Sequence, residues 1–299
     1  MWEKITAFLM AIVAFFTSLF GLNKGDFFEN KHYGLNERQI MDLYLPKNSD
    51  GEVGLVLFIH GGAWVAGNKD GYADNIQDIC EEYGYAAAAI NYRYLSDSVT
   101  LNDIADDIDL ALQKIKSIGE ENGININKVL LTGTSAGGHL SLFYAYSRRE
   151  TAPITPAAVV SYCGPTDLTD ENFYYNNDLG TVTAFGSVEK LATLFSKGCG
   201  KTFTYETRDS AKSELLAVSP ISYVDENTVP TVINHGQKDT VVPFSNAVSL
   251  TNKLKEYGVK YDFNIYPNSE HNLASDSESA KIADKLFVEY MLTYLGKER

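Results

Sequence analysis

Little in this 299-residue chain invites metal, disulfide or nucleic-acid chemistry. It has three cysteines, Cys80, Cys163 and Cys199, widely spaced and with no C-x-x-C pair. That is too few for a disulfide scaffold, and without paired spacing a structural zinc site is not expected. Positive charge is scarce as well: 25 Lys plus Arg against 39 Asp plus Glu leaves a net charge of −14. Such a field repels phosphate backbones, so no nucleic-acid partner is expected, and it disfavours docking on anionic lipid through a basic patch. The five histidines form no H-x-x-x-H-like pair, and no glycine-rich phosphate loop occurs, so no metal and no cofactor is expected. Internal repeats and low-complexity tracts are also missing. What remains, at 44% hydrophobic and 21% charged residues, is an ordinary core-forming globular chain.

One stretch departs from that average. Residues 5–22 (ITAFLMAIVAFFTSLFGL) carry no charge, which is the lower limit for a membrane span. The run exceeds the usual signal-peptide core of about 7–15 residues, and Leu19 stands where a cleavage site needs a small side chain. Residues 1–25 therefore read as an uncleaved anchor, which places the protein on a membrane or outside the cytoplasm. A cleaved signal peptide and a helix packed on the main domain are the alternatives. Residues 26–299 form the remaining domain.

Periodicity in that domain alternates between two kinds. Gln39–Leu45 alternates apolar and polar before Pro46 and reads as an edge strand; Asn48–Gly51 reads as a turn. Val53–Ile59, Tyr85–Asn91, Val129–Thr132, Ala157–Tyr162 and Thr231–Asn234 are apolar runs suited to strands covered on both faces, and Tyr261–Tyr266 alternates again. Between them, Leu101, Ile104, Ala105, Ile108, Ala111, Leu112, Ile115 and Ile118 keep helical spacing, with Asp103, Asp106, Asp107 and Asp109 at the other positions and Asn102 or a neighbour as the cap. Residues 244–256 and 277–295 are further helix candidates. The alternation implies βαβ units and a mostly parallel sheet flanked by helices. Residues 166–225 break the rhythm. This stretch is too long for a plain connection and carries Phe173, Tyr174, Tyr175, Phe185, Phe195, Phe203 and Tyr205. It reads as an insertion with short helices, either a lid or substrate wall or simply aromatic surface.

Three motifs carry chemistry. Gly133-Thr134-Ser135-Ala136-Gly137 lies between a strand and a helix, the context a nucleophile elbow requires. Small flanking residues let strand and helix approach, and the serine hydroxyl stands at a helix N-terminus. His60-Gly61-Gly62-Ala63-Trp64 follows a buried strand and has the form of an HGG oxyanion loop. Its backbone N–H groups, with that of Ala136, would hold a developing oxyanion. Gly62 and Ala63 are assigned as donors, the choice among Gly61, Gly62 and Ala63 staying open, and Trp64 is assigned to the substrate site. A serine nucleophile also needs a base and a carboxylate. His32 reads as exposed, His60 as a loop histidine, His139 as packing and His235 as shaping a turn. His271, in a polar loop after the last strand, is the expected base. Asp239, one strand earlier on the same sheet edge, is the expected carboxylate, ahead of Asp225, Asp262 and Glu270. The order Ser135, Asp239, His271 suits one fold in particular.

Together these residues resemble an α/β-hydrolase, in particular the carboxylesterases with an HGGxW oxyanion motif. That group includes hormone-sensitive-lipase-like esterases and bacterial acetyl-xylan or feruloyl esterase-like domains. The resemblance runs from Asp42 to Tyr294 and rests on HGGAWVAGNKD, AAAAINYRY, VLLTGTSAGGHLSLF, SPISYV, INHGQKDTVVPF and YPNSEHN. It implies cofactor-independent hydrolysis of small-molecule or carbohydrate-linked esters, acetyl or feruloyl in type, through an acyl-serine. Ala63 stands where lipase relatives often have glycine, which suits the xylan-esterase or formamidase side, and residues 166–225 match little beyond SPISYV. An aryl-formamidase or peptidase on the same triad, and a non-catalytic membrane-attached binding protein, are the rival readings.

Overall fold

The computed structural model describes residues 25–47, 51–175 and 184–296. The uncharged run at 5–22 and most of the Asn48–Gly51 turn lie outside them.

Among the described residues, eight strands make one sheet: β1 Asp26–His32, β2 Ile40–Leu45, β3 Gly51–Ile59, β4 Ala86–Ile90, β5 Ile124–Thr134, β6 Thr155–Tyr162, β7 Thr231–Gly236 and β8 Tyr261–Tyr266. Their order is β1-β2-β4-β3-β5-β6-β7-β8. The first two pairings are antiparallel and the remaining five parallel. The expected mostly parallel sheet is present, but β2 is not its edge. That place belongs to β1, which the sequence hides because nearly all its residues are exposed and no apolar run marks it. Its pairing with β2 slips between Phe28 and Lys31, where Asn30 takes a φ of 49° and its N–H donates to Asp42 Oδ1 at 2.8 Å.

The central strands follow their composition. Val53 to Ile59 and Ala86 to Ile90 are wholly buried, because core clusters cover both sheet faces. Among the described residues, eight α-helices flank the sheet: α1 Ala73–Asp78, α2 Leu101–Glu121, α3 Ala136–Ser147, α4 Asn172–Tyr175, α5 Val188–Cys199, α6 Lys212–Leu216, α7 Phe244–Glu256 and α8 Ser277–Tyr294. Thr100, not Asn102, caps α2: its hydroxyl accepts the Asp103 N–H while the Asp103 carboxylate accepts the Thr100 N–H. The expected apolar face of α2 is buried. Asp107 is buried with it, contrary to its reading as an outer position, because Arg93 reaches in to pair with it at 2.6 Å. Helix α3 shows no amphipathic stripe, since Ala136 to Tyr146 are buried all round.

Between β6 and β7 the chain builds α4, α5 and α6 in place of a plain connection. Helix α5 is framed by local signals: the Ser187 hydroxyl accepts the Lys190 N–H at one end, and Gly200 stops it with a φ of 74° at the other.

Candidate active site

Ser135 stands where β5 turns into α3, with φ 57° and ψ −121°. An L-residue adopts that conformation only under constraint. The constraint comes from the sheet. The Ser135 N–H donates to Tyr162 O on β6 at 2.7 Å, and the Ser135 carbonyl accepts the His139 N–H at 2.9 Å. The close approach behind the serine requires Gly137, where a Cβ would lie 1.9 Å from the Ile59 carbonyl oxygen on β3. Ala136 opens the helix, so its N–H has no acceptor within it.

The loop after β3 carries the second set of backbone donors. Gly62, Ala63 and Trp64 all have positive φ, at 112°, 49° and 60°. A side chain at Gly62 would strike Ala66 O at 2.2 Å. The Gly62 carbonyl is turned away to accept the N–H groups of Val65 and Ala66 at 3.0 and 2.9 Å. His60 is buried with its ring stacked on Tyr92 at 4.2 Å, and burial pulls its pKa down to about 4. It is a neutral structural side chain, as the sequence reading held. Arg38 braces the far side of the loop by donating to Gly67 O at 3.1 Å and Tyr92 O at 2.9 Å.

Asp239 follows β7 and is 4% exposed. Its Oδ1 accepts the backbone N–H groups of Val241 and Val242 at 2.8 and 2.9 Å. Its Oδ2 lies 2.7 Å from His271 Nδ1. Burial alone would raise this carboxyl, but hydrogen bonds from His235 and His271 outweigh it and hold Asp239 well below the usual carboxylate range. The loop carrying His271 is pinned by Asp276, which accepts the Asn268 N–H at 2.9 Å and the Ser269 hydroxyl at 2.7 Å.

Ser135 and His271 line one cavity of about 570 Å³, together with Gly61, Gly62, Ala63, Trp64 and Ala136. The rest of its wall is mainly apolar. Pro165, Phe173, Ala184, Phe185 and Phe195 come from the β6–β7 insertion, and Val241 and Val242 from the Asp239 loop. The insertion is thus a wall of the cavity. Trp64 lines it from a nearly buried position, its ring edge-on to His139 at 5.1 Å and to Phe195 at 6.5 Å. His139 is buried and donates from Nε2 to Val218 O at 2.9 Å, a packing role as expected. Since a carbonyl can only accept, that nitrogen carries the proton.

Two of the weaker carboxylate candidates are engaged elsewhere, and Glu270 is exposed. Asp225 pairs with Arg149, and Asp262 accepts from Lys260 and from the Tyr290 hydroxyl. What the sequence reading missed is a second histidine on Asp239. His235 Nε2 lies 3.3 Å from Asp239 Oδ2. Cys163, at a φ of 50° just after β6, completes a buried group in which Cys163, His235 and Asp239 bring ligand-type atoms within 4.8 Å of one another. All three cysteines are unpaired. The signal was present in INHGQKD, where His235 and Asp239 stand four apart, but only the turn after β7 brings them together.

The BD-FAE family model matches residues 41–254, most of the domain, with Ser135, Asp239 and the Gly61–Trp64 loop inside the match. The chain belongs to the BD-FAE family. The dienelactone hydrolase family model also matches residues 211–298 of this BD-FAE member. Among curated relatives, the probable carboxylic ester hydrolase LipM of Mycobacterium tuberculosis is 25% identical over 243 residues, covering 79% of this chain and 51% of LipM. The probable isoprenylcysteine α-carbonyl methylesterase ICMEL1 of Arabidopsis thaliana is 23% identical over 276 residues, covering 89% of this chain and 56% of the relative. The chain spans about half the length of these curated relatives. Among solved structures, a truncated carbohydrate esterase from gut microbiota superimposes with a TM-score of 0.67 at 23% identity, covering 89% of this chain and 96% of that one. Esterase B from Lactobacillus Rhamnosis gives 0.66 at 19% identity, covering 97% and 93%. At such identities the likeness establishes the α/β-hydrolase fold.

Proposed function

We propose that this chain is a serine esterase that hydrolyses carboxylic esters through an acyl-serine intermediate. The observation that carries the proposal is the 2.7 Å contact of His271 Nδ1 with the buried Asp239, on a cavity that His271 shares with Ser135 and the oxyanion loop. The carboxylate fixes the tautomer, leaving His271 Nε2 unprotonated as a base. His271 takes the Ser135 proton as Oγ attacks the ester carbonyl. The oxyanion rests on the N–H groups of Gly62, Ala63 and Ala136, each such donor being worth about 2.7–4 kcal/mol in related chemistry. The tetrahedral adduct collapses, the C–O bond to the alcohol breaks, and His271 protonates the departing alkoxide. Water, deprotonated by the same imidazole, then attacks the acyl-serine and releases the acid.

Within that chemistry the cavity favours an aromatic, feruloyl-type acyl group over acetyl. About 570 Å³ walled by Trp64, Phe173, Phe185 and Phe195 leaves most of an acetyl group's surroundings empty, whereas a planar aromatic group has aromatic and apolar walls to pack against. The named relatives and the gut carbohydrate esterase support ester chemistry, and carbohydrate-linked esters are a reading of the alcohol side. For placement, we propose that residues 5–22 attach the chain to a membrane on its extracytoplasmic side; recovery of full-length chain in the soluble fraction would refute this.

The test is a substrate panel of p-nitrophenyl acetate, longer p-nitrophenyl esters, a feruloyl ester, acetylated xylan, an aryl formamide and a peptide amide. The proposal expects ester turnover, highest kcat/KM for the feruloyl ester, and loss of several orders of magnitude in Ser135→Ala. Faster turnover of the formamide or amide would move the assignment to the same-site rivals. Folded protein that a fluorophosphonate probe fails to label at Ser135 would favour a binding protein.

A further inference from the structure

The carboxylate that orients His271 is shared. Asp239 Oδ2 faces two imidazoles, His271 Nδ1 at 2.7 Å and His235 Nε2 at 3.3 Å. His235 is fully buried at the end of β7, and its Nε2 also lies 3.0 Å from Val242 O. A carbonyl oxygen only accepts, so Nε2 carries the hydrogen. The other ring nitrogen, Nδ1, is buried with no partner. A proton there would be a buried N–H without an acceptor, and a charged imidazolium would be more costly still. The geometry therefore places the ring hydrogen on Nε2, donated to the Val242 carbonyl at 3.0 Å, with Asp239 Oδ2 3.3 Å from the same nitrogen.

We propose that His235 is a positioning residue for the reaction, a second imidazole that withdraws part of the Asp239 charge from His271 and so sets the pH at which His271 becomes an active base. This rests on the serine-esterase reading above. Every group around the carboxylate fits the role. Val241 and Val242 occupy Oδ1 through their N–H groups, which leaves Oδ2 alone to face the base. From β6, the buried Cys163 thiol packs on the same carboxylate and is held protonated by burial, so it adds no charge. From the start of α7, the Phe244 ring meets His235 edge-on at 5.9 Å, closing the pocket with an apolar group. The two histidines are the chief groups that hold its carboxyl low.

The sign follows. Removing the His235 N–H leaves Oδ2 with more negative charge for His271, which stabilises the His271 imidazolium. The base is then protonated up to a higher pH. In His235→Leu the acid limb of kcat/KM, measured on the full-length chain with an ester it turns over, should move up by about half a unit or more. His235→Gln places an amide N–H near the lost Nε2 and should bring the limb back. A purely structural role for His235 would lower kcat and the melting temperature without moving the limb. An unmoved limb in a folded, fluorophosphonate-labelled Leu variant overturns the proposal, as does a Gln variant displaced as far as Leu. Should the Leu variant not fold, the imidazole ¹⁵N spectrum of the wild-type chain decides. His235 should carry its hydrogen on Nε2, and a ring that carries it on Nδ1 overturns the assignment. If instead the wild-type chain shows neither labelling nor ester turnover, it is the esterase reading that has failed, and the spectrum still judges the ring.

Discussion

Asp239→Asn is the substitution whose effect can be worked atom by atom. In the wild type, Oδ1 accepts two backbone N–H groups, from Val241 and Val242, at 2.8 and 2.9 Å. Those donors cannot be satisfied by an amide NH₂, so the asparagine must place its carbonyl oxygen at the Oδ1 position. Its NH₂ is then forced to the Oδ2 position, 2.7 Å from His271 Nδ1. Two N–H groups cannot point at each other, so His271 must present a lone pair at Nδ1 and carry its hydrogen on Nε2. That is the nitrogen required to accept the Ser135 proton. The base is lost without any change of shape, and no negative charge remains to stabilise an imidazolium. The same replacement in the serine protease triad lowers kcat by about 10⁴, which at about 1.36 kcal/mol per decade corresponds to roughly 5.4 kcal/mol of transition-state stabilisation. The expected result here is a fall of about 10⁴ in kcat for a p-nitrophenyl ester, with KM little changed. The assay is steady-state turnover, checked by near-UV circular dichroism against the wild type. A variant within tenfold of wild-type kcat would refute the tautomer argument and return Asp239 to a structural role.

Three further outcomes follow, two from other parts of the molecule and one from the same carboxylate. Gly137→Ala places a Cβ 1.9 Å from the Ile59 carbonyl in the middle of the sheet, so it should cost several kcal/mol and abolish soluble folded protein, as expression and urea titration will show. Asp107→Ala strands the Arg93 guanidinium and leaves the Gln39 amide and the Arg93 N–H without their acceptor, so unfolding free energy in urea should drop by about 3–5 kcal/mol. The Asp239 carboxyl is held low in the folded state, so its contribution to stability is complete above the unfolded carboxylate pKa of about 3.9 and disappears as pH falls toward the folded value. The melting-temperature gap between wild type and Asp239→Asn should therefore narrow as pH falls below about 4, and a gap constant down to pH 2 would contradict the depressed carboxyl.

How much of this was legible in the sequence depended on whether a residue's role was local. Helices at 244–256 and 277–294 and the strand at 261–266 fall where periodicity placed them, because their burial is one-sided or bounded by clear breaks. Strand β5 begins at Ile124, earlier than Val129, because ININK pairs with β3 through its backbone while exposing polar side chains. Strand β1 was invisible for the same reason. Ser135, Asp239 and His271 could be placed from their positions after successive strands, since a parallel sheet sends such loops to one edge. Residues whose importance comes from long-range meeting could not be placed. Asp107 looked like one of a row of surface acids until Arg93 folded over it. His235 looked like a turn residue until the chain after β7 doubled back to set Asp239 beside it.

The sheet order divides the site mechanically. The nucleophile and the oxyanion loop follow β5 and β3, neighbours paired in parallel through Ile59 and Gly133. Both follow central strands, so the two loops start one strand spacing apart, and the positive-φ turn at Gly62–Trp64 sets the direction of the donors. The histidine hangs from β8, the outermost strand on the opposite side from β1, joined to the sheet only through β7. Strand edges open before strand centres. Under mild heat or denaturant, turnover should therefore fall before the global transition, which parallel activity and circular-dichroism melts will check.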